Sequence, residues 1–154
     1  MSVPFFFVDT MEASQTLVEL GEDASKHAAM VLRLKPGDEV ELVNGRGLRA
    51  NGKMESAHKK HCSVRILQSA LQAPSPIELV IGISLLKNNS RFEWFLEKAT
   101  EIGVRAIVPL VCSRTESARF RADRLRNILI SALLQSQQSW LPELWEPQPI
   151  LQWL

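Results

Sequence analysis

The stretch that most narrows the choice of fold is NNSRFEWFLEKATEIGVRAIVPLVCSRTE, Asn88 to Glu116. Ser90 followed by Glu93 has the spacing of a capping box, in which each side chain covers an orphan amide of a helix's first turn. Phe92, Phe95, Leu96, Ala99 and Ile102 recur at i, i+3, i+4, i+7 and i+10, which predicts a helix with one apolar face. Gly103 stands where a left-handed C-cap costs least. The next residues, VRAIVPL, read as a buried strand. Upstream, IELVIGISLL is a continuous apolar run of strand type. Strand, helix, strand with short joins is a βαβ unit, which implies parallel strands and a right-handed crossover. A second amphipathic helix is expected from Arg121 to Gln138, with Leu125, Ile128, Leu129, Ala132 and Leu133 as its stripe. Pro149 is placed to start a further helix. Two strands flanking one helix do not complete an α/β sheet on both faces, so the chain is expected to stop in mid-fold.

A different grammar precedes LQAPSP, the one clear linker, with prolines at 74 and 76. VPFFFV is a strand candidate. EDASKHAAMVLRL predicts a helix with Ala28, Val31 and Leu32 on one face, ended by Pro36-Gly37. DEVELVN alternates charged and apolar residues and leads into Asn44-Gly45, a strong hairpin signal. LRANGKMES is a strand with a break at Asn51-Gly52, and CSVRILQSA is another. One helix among several antiparallel strands is consistent with a compact β-barrel. The expected domains are residues 1–72, a linker at 73–76, and an α/β segment at 77–154.

Charge matters here through its distribution. Formal net charge is +1, yet all 18 Lys and Arg lie between Lys26 and Arg126. From Arg33 to Arg65 there are eight Lys/Arg against four Asp/Glu, and from Arg114 to Arg126 five Arg against two acids. Local basic surfaces of this kind meet phosphates, or are ordinary solvated charge. Two cysteines, Cys62 and Cys112, form no CxxC and no disulfide framework, as suits a reducing compartment. No apolar run is long enough to span a membrane, and MSVPFFFVDT lacks the basic region of a signal peptide. A cytoplasmic protein with no membrane partner is expected.

The segment SKHAAMVLRLKPGDEV with its Asn-Gly turn resembles the start of the RNA-binding, PUA-like domain of the ribosomal RNA small subunit methyltransferase E family. LLKNNSRFEWFLEKATEIGVRAIVPLVCSRTE resembles the first α/β segment of the same family. Its pattern of a Lys, a helix ending K-A-T-E-[LI]-G-V, a strand reaching Pro and an Arg-bearing loop falls here on Lys87, Lys98 to Val104, Pro109 and Arg114. The resemblance implies a PUA-like β-barrel followed by an incomplete SPOUT-type α/β segment lacking the C-terminal trefoil knot. It implies S-adenosylmethionine-dependent methylation of uridine N3 in 16S rRNA of the small ribosomal subunit, by a homodimer when full length. The family builds its cofactor site from the knot, including a G-P-E-G-G loop, so no cofactor is expected to bind this chain. The one G-x-G, Gly45-Arg46-Gly47, sits on a hairpin and lacks the helix of a dinucleotide loop. Where the family carries a cation after its Gln-Ser pair, this chain has Gln138, which cannot supply charge.

The candidate catalytic cations are Arg114, Arg91 and Lys87, because each borders the carboxyl end of a strand or the start of a helix, where open α/β sheets bind ligands. Each has the alternative of a plain surface cation, and no general base is evident. The candidate RNA contacts are Arg33, Arg46, Arg49, Lys53, Lys59 and Lys60, which would grip phosphates without reading sequence. His58 to Cys62, HKKHC, lacks a matching second pair for zinc, and no metal is assigned. A non-catalytic RNA-binding module is the competing reading.

Overall fold

The computed structural model describes residues 2–115 and 119–154, in two compact units that divide at Pro74 and Ser75. The first unit is built on a five-stranded sheet: β1 (Phe5–Phe7), β2 (Leu17–Glu19), β3 (Glu39–Val43), β4 (Leu48–Ala57) and β5 (Cys62–Leu71). Their order is β1-β3-β4-β5-β2, with β1 parallel to β3 and the remaining pairs antiparallel. Alternation along β4 sends Leu48, Ala50 and Met54 inward, where they meet Leu42, Val64 and Cys62 in one core. Burial of such a face is the main favourable term in folding.

Three local expectations change in this unit. The helix α1 (Glu22–Lys26) passes at His27 into a π-helical turn, His27–Val31. The wider turn breaks the 3.6-residue register, so Ala28 is fully buried while Val31 and Leu32 are 65% and 41% exposed. The turn ends at Arg33, in the left-handed region with φ 54, three residues before the expected Pro36. Asn51-Gly52 is no break: both lie inside β4, where the pairing slips at a β-bulge. A Cβ on Gly52 would sit 2.5 Å from the Arg65 carbonyl oxygen and 2.6 Å from Val64 Cγ1, so the close strand approach requires glycine. The Asn44-Gly45 turn forms as expected. The buried Asn44 side chain accepts from the Arg46 and Leu48 amides and donates to the Met11 carbonyl.

The second unit has a parallel sheet in the order β6 (Val80–Ser84), β7 (Ala106–Val111), β8 (Glu143–Leu144), with β9 (Gln148–Pro149) also on β7. Helices α2 (Asn89–Glu101) and α3 (Ala122–Ser136) pack on one face of it, where Phe92, Leu96, Ala99, Leu125 and Leu129 close over Ile107. The predicted βαβ unit is therefore present, and Gly103 ends α2 with φ 81. The capping differs. Asn88, not Ser90, is the N-cap, and its Oδ1 accepts from the Ser90 amide at 3.0 Å. The helix thus begins too early for Glu93 to reach back to its first turn. Ile102 lies past the last helical residue and is 72% exposed rather than part of the apolar face. Helix α3 ends at Ser136, because Gln137 turns left-handed with φ 55. Pro149 does precede a short helix, α4 (Ile150–Trp153), whose Trp153 ring packs over Gly82 of β6.

Candidate nucleic-acid interface

Parallel pairing of β6 with β7, Ser84 opposite Leu110, brings the loops after both strands to the same edge of the sheet. Thr115 ties them together: its Oγ1 lies 3.1 Å from Ser84 Oγ and accepts from the Cys112 amide at 2.8 Å. Lys87 follows β6, Arg91 occupies the first turn of α2, and Arg114 follows β7, so all three predicted cations lie on segments next to this carboxyl edge, although none of them lines the cleft there. Arg91 and Arg114 are exposed and make no ion pair among the described residues. The end of the SRTE loop, from Glu116 onward, lies outside the described residues.

Sequence reading did not single out the neighbours that complete the edge. A cleft there is lined by Leu85, Leu86, Asn89, Phe92, Arg119, Arg121 and Arg124. The excess of five Arg between 114 and 126 was the available signal. It could not say that α3 starts beside α2. Arg124 grips Glu93 with two hydrogen bonds, Nε to Oε1 at 2.7 Å and Nη2 to Oε2 at 3.3 Å. The guanidinium holds the Glu93 carboxyl below its ordinary range and is itself held above its own. That bond joins the two helices at the mouth of the cleft.

In the first unit the six predicted RNA contacts separate. Arg46 pairs with Asp9 at 2.9 Å and also donates to the Asp9 carbonyl. Arg49 pairs with Glu41 at 2.9 Å and lies 4.9 Å over the Phe5 ring. Lys53 faces Glu39 across the ladder. These cations lie among acids on the outer face of the sheet, which weakens their claim on phosphate. Lys59 and Lys60 stand exposed at the tip of the β4–β5 hairpin. Arg33 closes the π-turn, and none of these three is in an ion pair among the described residues. Helix and hairpin are fastened at the same end: Ser25 Oγ accepts from the Cys62 amide at 3.0 Å, and Cys62 Sγ donates to the His58 carbonyl at 3.3 Å. Lys59 and Lys60 therefore stand beside α1. Among the described residues no group of three potential metal ligands comes together, at HKKHC or elsewhere.

Gln138, where a cation was expected, is used structurally. Its Nε2 donates at 3.0 Å to the Glu101 carbonyl, one of the orphan acceptors ending α2.

The folded chain joins a small β-rich unit carrying a cationic tip to an α/β unit that gathers cations at the carboxyl edge of parallel strands. A family model described as an RNA methyltransferase domain matches residues 73–154, and one described as an RNA methyltransferase PUA domain matches residues 20–67. The chain belongs to the RNA methyltransferase family. Ribosomal RNA small subunit methyltransferase E of Mycobacterium bovis is 28% identical over 148 residues, covering 92% of this chain and 56% of that protein. The Bacillus subtilis protein of the same name is 25% identical, covering 86% of this chain and 54% of its own. The chain thus spans a little over half the length of these relatives. A probable rRNA-methyltransferase from Porphyromonas gingivalis superposes with TM-score 0.87 at 32% identity, over 97% of this chain and 62% of that one. A ribosomal RNA small subunit methyltransferase E from Neisseria gonorrhoeae, solved bound to S-adenosyl methionine, gives 0.79 at 25% identity, over 96% of this chain and 62% of that one. Among the described residues no helix is long and apolar enough to cross a membrane.

Proposed function

We propose that this chain supplies the RNA-gripping part of an rRNA (uridine-N3) methyltransferase that acts in the cytoplasm on 16S rRNA of the small ribosomal subunit, as a homodimer when full length. The observation that carries this reading is the placing of Lys87, Arg91 and Arg114 on segments next to the carboxyl edge of β6 and β7, in a chain whose other unit matches a PUA domain. Methyl transfer to N3 needs the N3 proton removed, the nitrogen aligned with the sulfonium methyl, and developing charge met by fixed donors. S-adenosylmethionine supplies the methyl group. The cations at the sheet edge hold and orient the RNA, with Arg114 and Arg91 on phosphates beside the target nucleotide. Arg33, Lys59 and Lys60 anchor a second stretch of backbone.

RNA binding followed by fluorescence anisotropy tests the reading. The Lys59→Glu/Lys60→Glu double variant should weaken binding by about tenfold or more near 0.1 M salt, since each reversal replaces an attraction with a repulsion. Unchanged affinity would remove the hairpin tip from the interface. The glycines of the G-x-G, Gly45 and Gly47, are committed to the left-handed turn between β3 and β4, with φ 76 and 90. Calorimetry with S-adenosylmethionine on the 154-residue chain should therefore register no binding, and a micromolar site would overturn our placing of the donor pocket outside these residues. One observation favours a non-catalytic RNA-binding module instead: Gln138 caps α2 where the family pattern carries a cation. Methyl incorporation into small-subunit rRNA by the native gene product separates the two readings.

A further inference from the structure

A second groove leads away from the sheet edge. It has a volume of about 460 Å³ and is lined by Glu97 of α2 on one side and, on the other, by Arg121, Arg124, Asn127, Ser131 and Gln135, with Ile128 and Ala132 as its apolar part. Arg121 and Arg124 also line the edge cleft, so the two depressions share a wall.

The pattern along α3 is unusual for a helix face that merely meets water. Such faces mix Lys and Glu at i and i+4, which is both soluble and mildly stabilising. Of the exposed positions, Arg121, Arg124, Asn127, Ser131 and Gln135 recur at about one turn each along the groove, with Ala122, Asp123 and Arg126 exposed beside them. Asp123 is the only acid in the 15-residue helix, and its last charge is Arg126. The stripe therefore begins cationic and continues as uncharged amides and a hydroxyl over about 22 Å. The acids opposite are partly spent. Glu93 is held by Arg124, and Glu97 lies 3.2 Å from Lys98 Nζ. Arg124 gives only Nε and Nη2 to Glu93, so its Nη1 hydrogens have no acceptor among the described residues. Asn and Gln side chains donate and accept at once, as ribose hydroxyls and base edges require, while the guanidinium groups suit phosphate.

Resting on the RNA-binding reading above, we infer that the α2–α3 groove is a track for a single-stranded RNA segment leaving the sheet edge. Phosphate lies at Arg121, and ribose and base edges lie along Asn127, Ser131 and Gln135. The strand continues past the residue being held at β6 and β7, and the groove fixes its direction.

The test uses the whole chain, a labelled 12-nucleotide single-stranded RNA and the double variant Ser131→Glu/Gln135→Glu. Both positions are solvent-exposed on α3, and Glu is a good helix former, so circular dichroism should be unchanged. Affinity should fall about tenfold or more, because two like charges then stand in the path of the backbone. Arg121→Ala should reduce the slope of log K against log salt by about 0.7, the share of one single-strand phosphate. If Lys59→Glu/Lys60→Glu weakens RNA binding while the groove variants leave affinity and slope unchanged, the track is wrong and the RNA reading survives. If the unaltered chain binds no RNA, both fall. Groove variants that change the sedimentation coefficient but not RNA affinity would overturn the track by showing a self-association surface.

Discussion

At the scale of single residues, identity alone misleads about availability. Arg46, Arg49, Lys59 and Lys60 look alike as cations, but the first two find carboxylates 37 and 8 positions away along the chain. No local pattern reports such pairing, so the basic character of the first unit was legible and its usable part was not. Gly52 shows the same limit. An Asn-Gly pair ordinarily marks a turn, and only the packed β5 strand reveals that this glycine admits a neighbour's backbone. Gly52→Ala should destabilise the first unit by about 1–3 kcal/mol, the usual cost of forcing atoms into a filled site. Urea denaturation followed by circular dichroism measures this, and a change below about 0.5 kcal/mol would mean that β4 and β5 separate freely at the bulge.

At the scale of elements, length decided what could be read. Helices α2 and α3 repeat their apolar positions over several turns, and β7 is an unbroken apolar run, so each was predictable to within a few residues. Strands β2, β8 and β9 are three, two and two residues long. They are strands only because a neighbour pairs with them, and so short a segment carries no period to recognise. The capping misreading has a similar origin: both Asn88 and Ser90 are good caps, and tertiary contact with Arg124 gave Glu93 another partner. That contact predicts a pH dependence. The Glu93 carboxyl is held below its ordinary value by the guanidinium, so its contribution is present above the ordinary carboxylate range and fades as pH falls through the lowered value. Glu93→Gln should therefore lower the melting temperature at neutral pH, slightly, since Arg124 is 58% exposed. The difference from the unaltered chain should shrink as pH falls below the ordinary carboxylate range and vanish once Glu93 is protonated. A melting series from neutral to acid pH checks it, and a gap that persists in acid would show that Glu93 acts through packing rather than charge.

For the whole molecule, the net charge of +1 would by itself promise almost no electrostatic attraction to RNA. The arrangement says otherwise, because what counts is how many cations are left unneutralised and where. Among the described residues Arg33, Lys59, Lys60, Arg91, Arg114, Arg119 and Arg121 have no ion-pair partner, whereas Arg46 and Arg49 have theirs within the fold. If each of the first group releases counterions from one phosphate, log K should fall with log salt at a slope of about −5. Net charge alone predicts a slope near zero. The same accounting fixes the outcome for the paired residues: Arg46→Ala and Arg49→Ala should leave the slope essentially unaltered, since the carboxylates that neutralise them already stand in for phosphate. Titrations at several salt concentrations decide between the accounts. A slope that drops on removing Arg46 or Arg49 would mean that these ion pairs open to take up RNA, and that the outer face of the β3–β4 sheet, not the hairpin tip, is the surface that grips it.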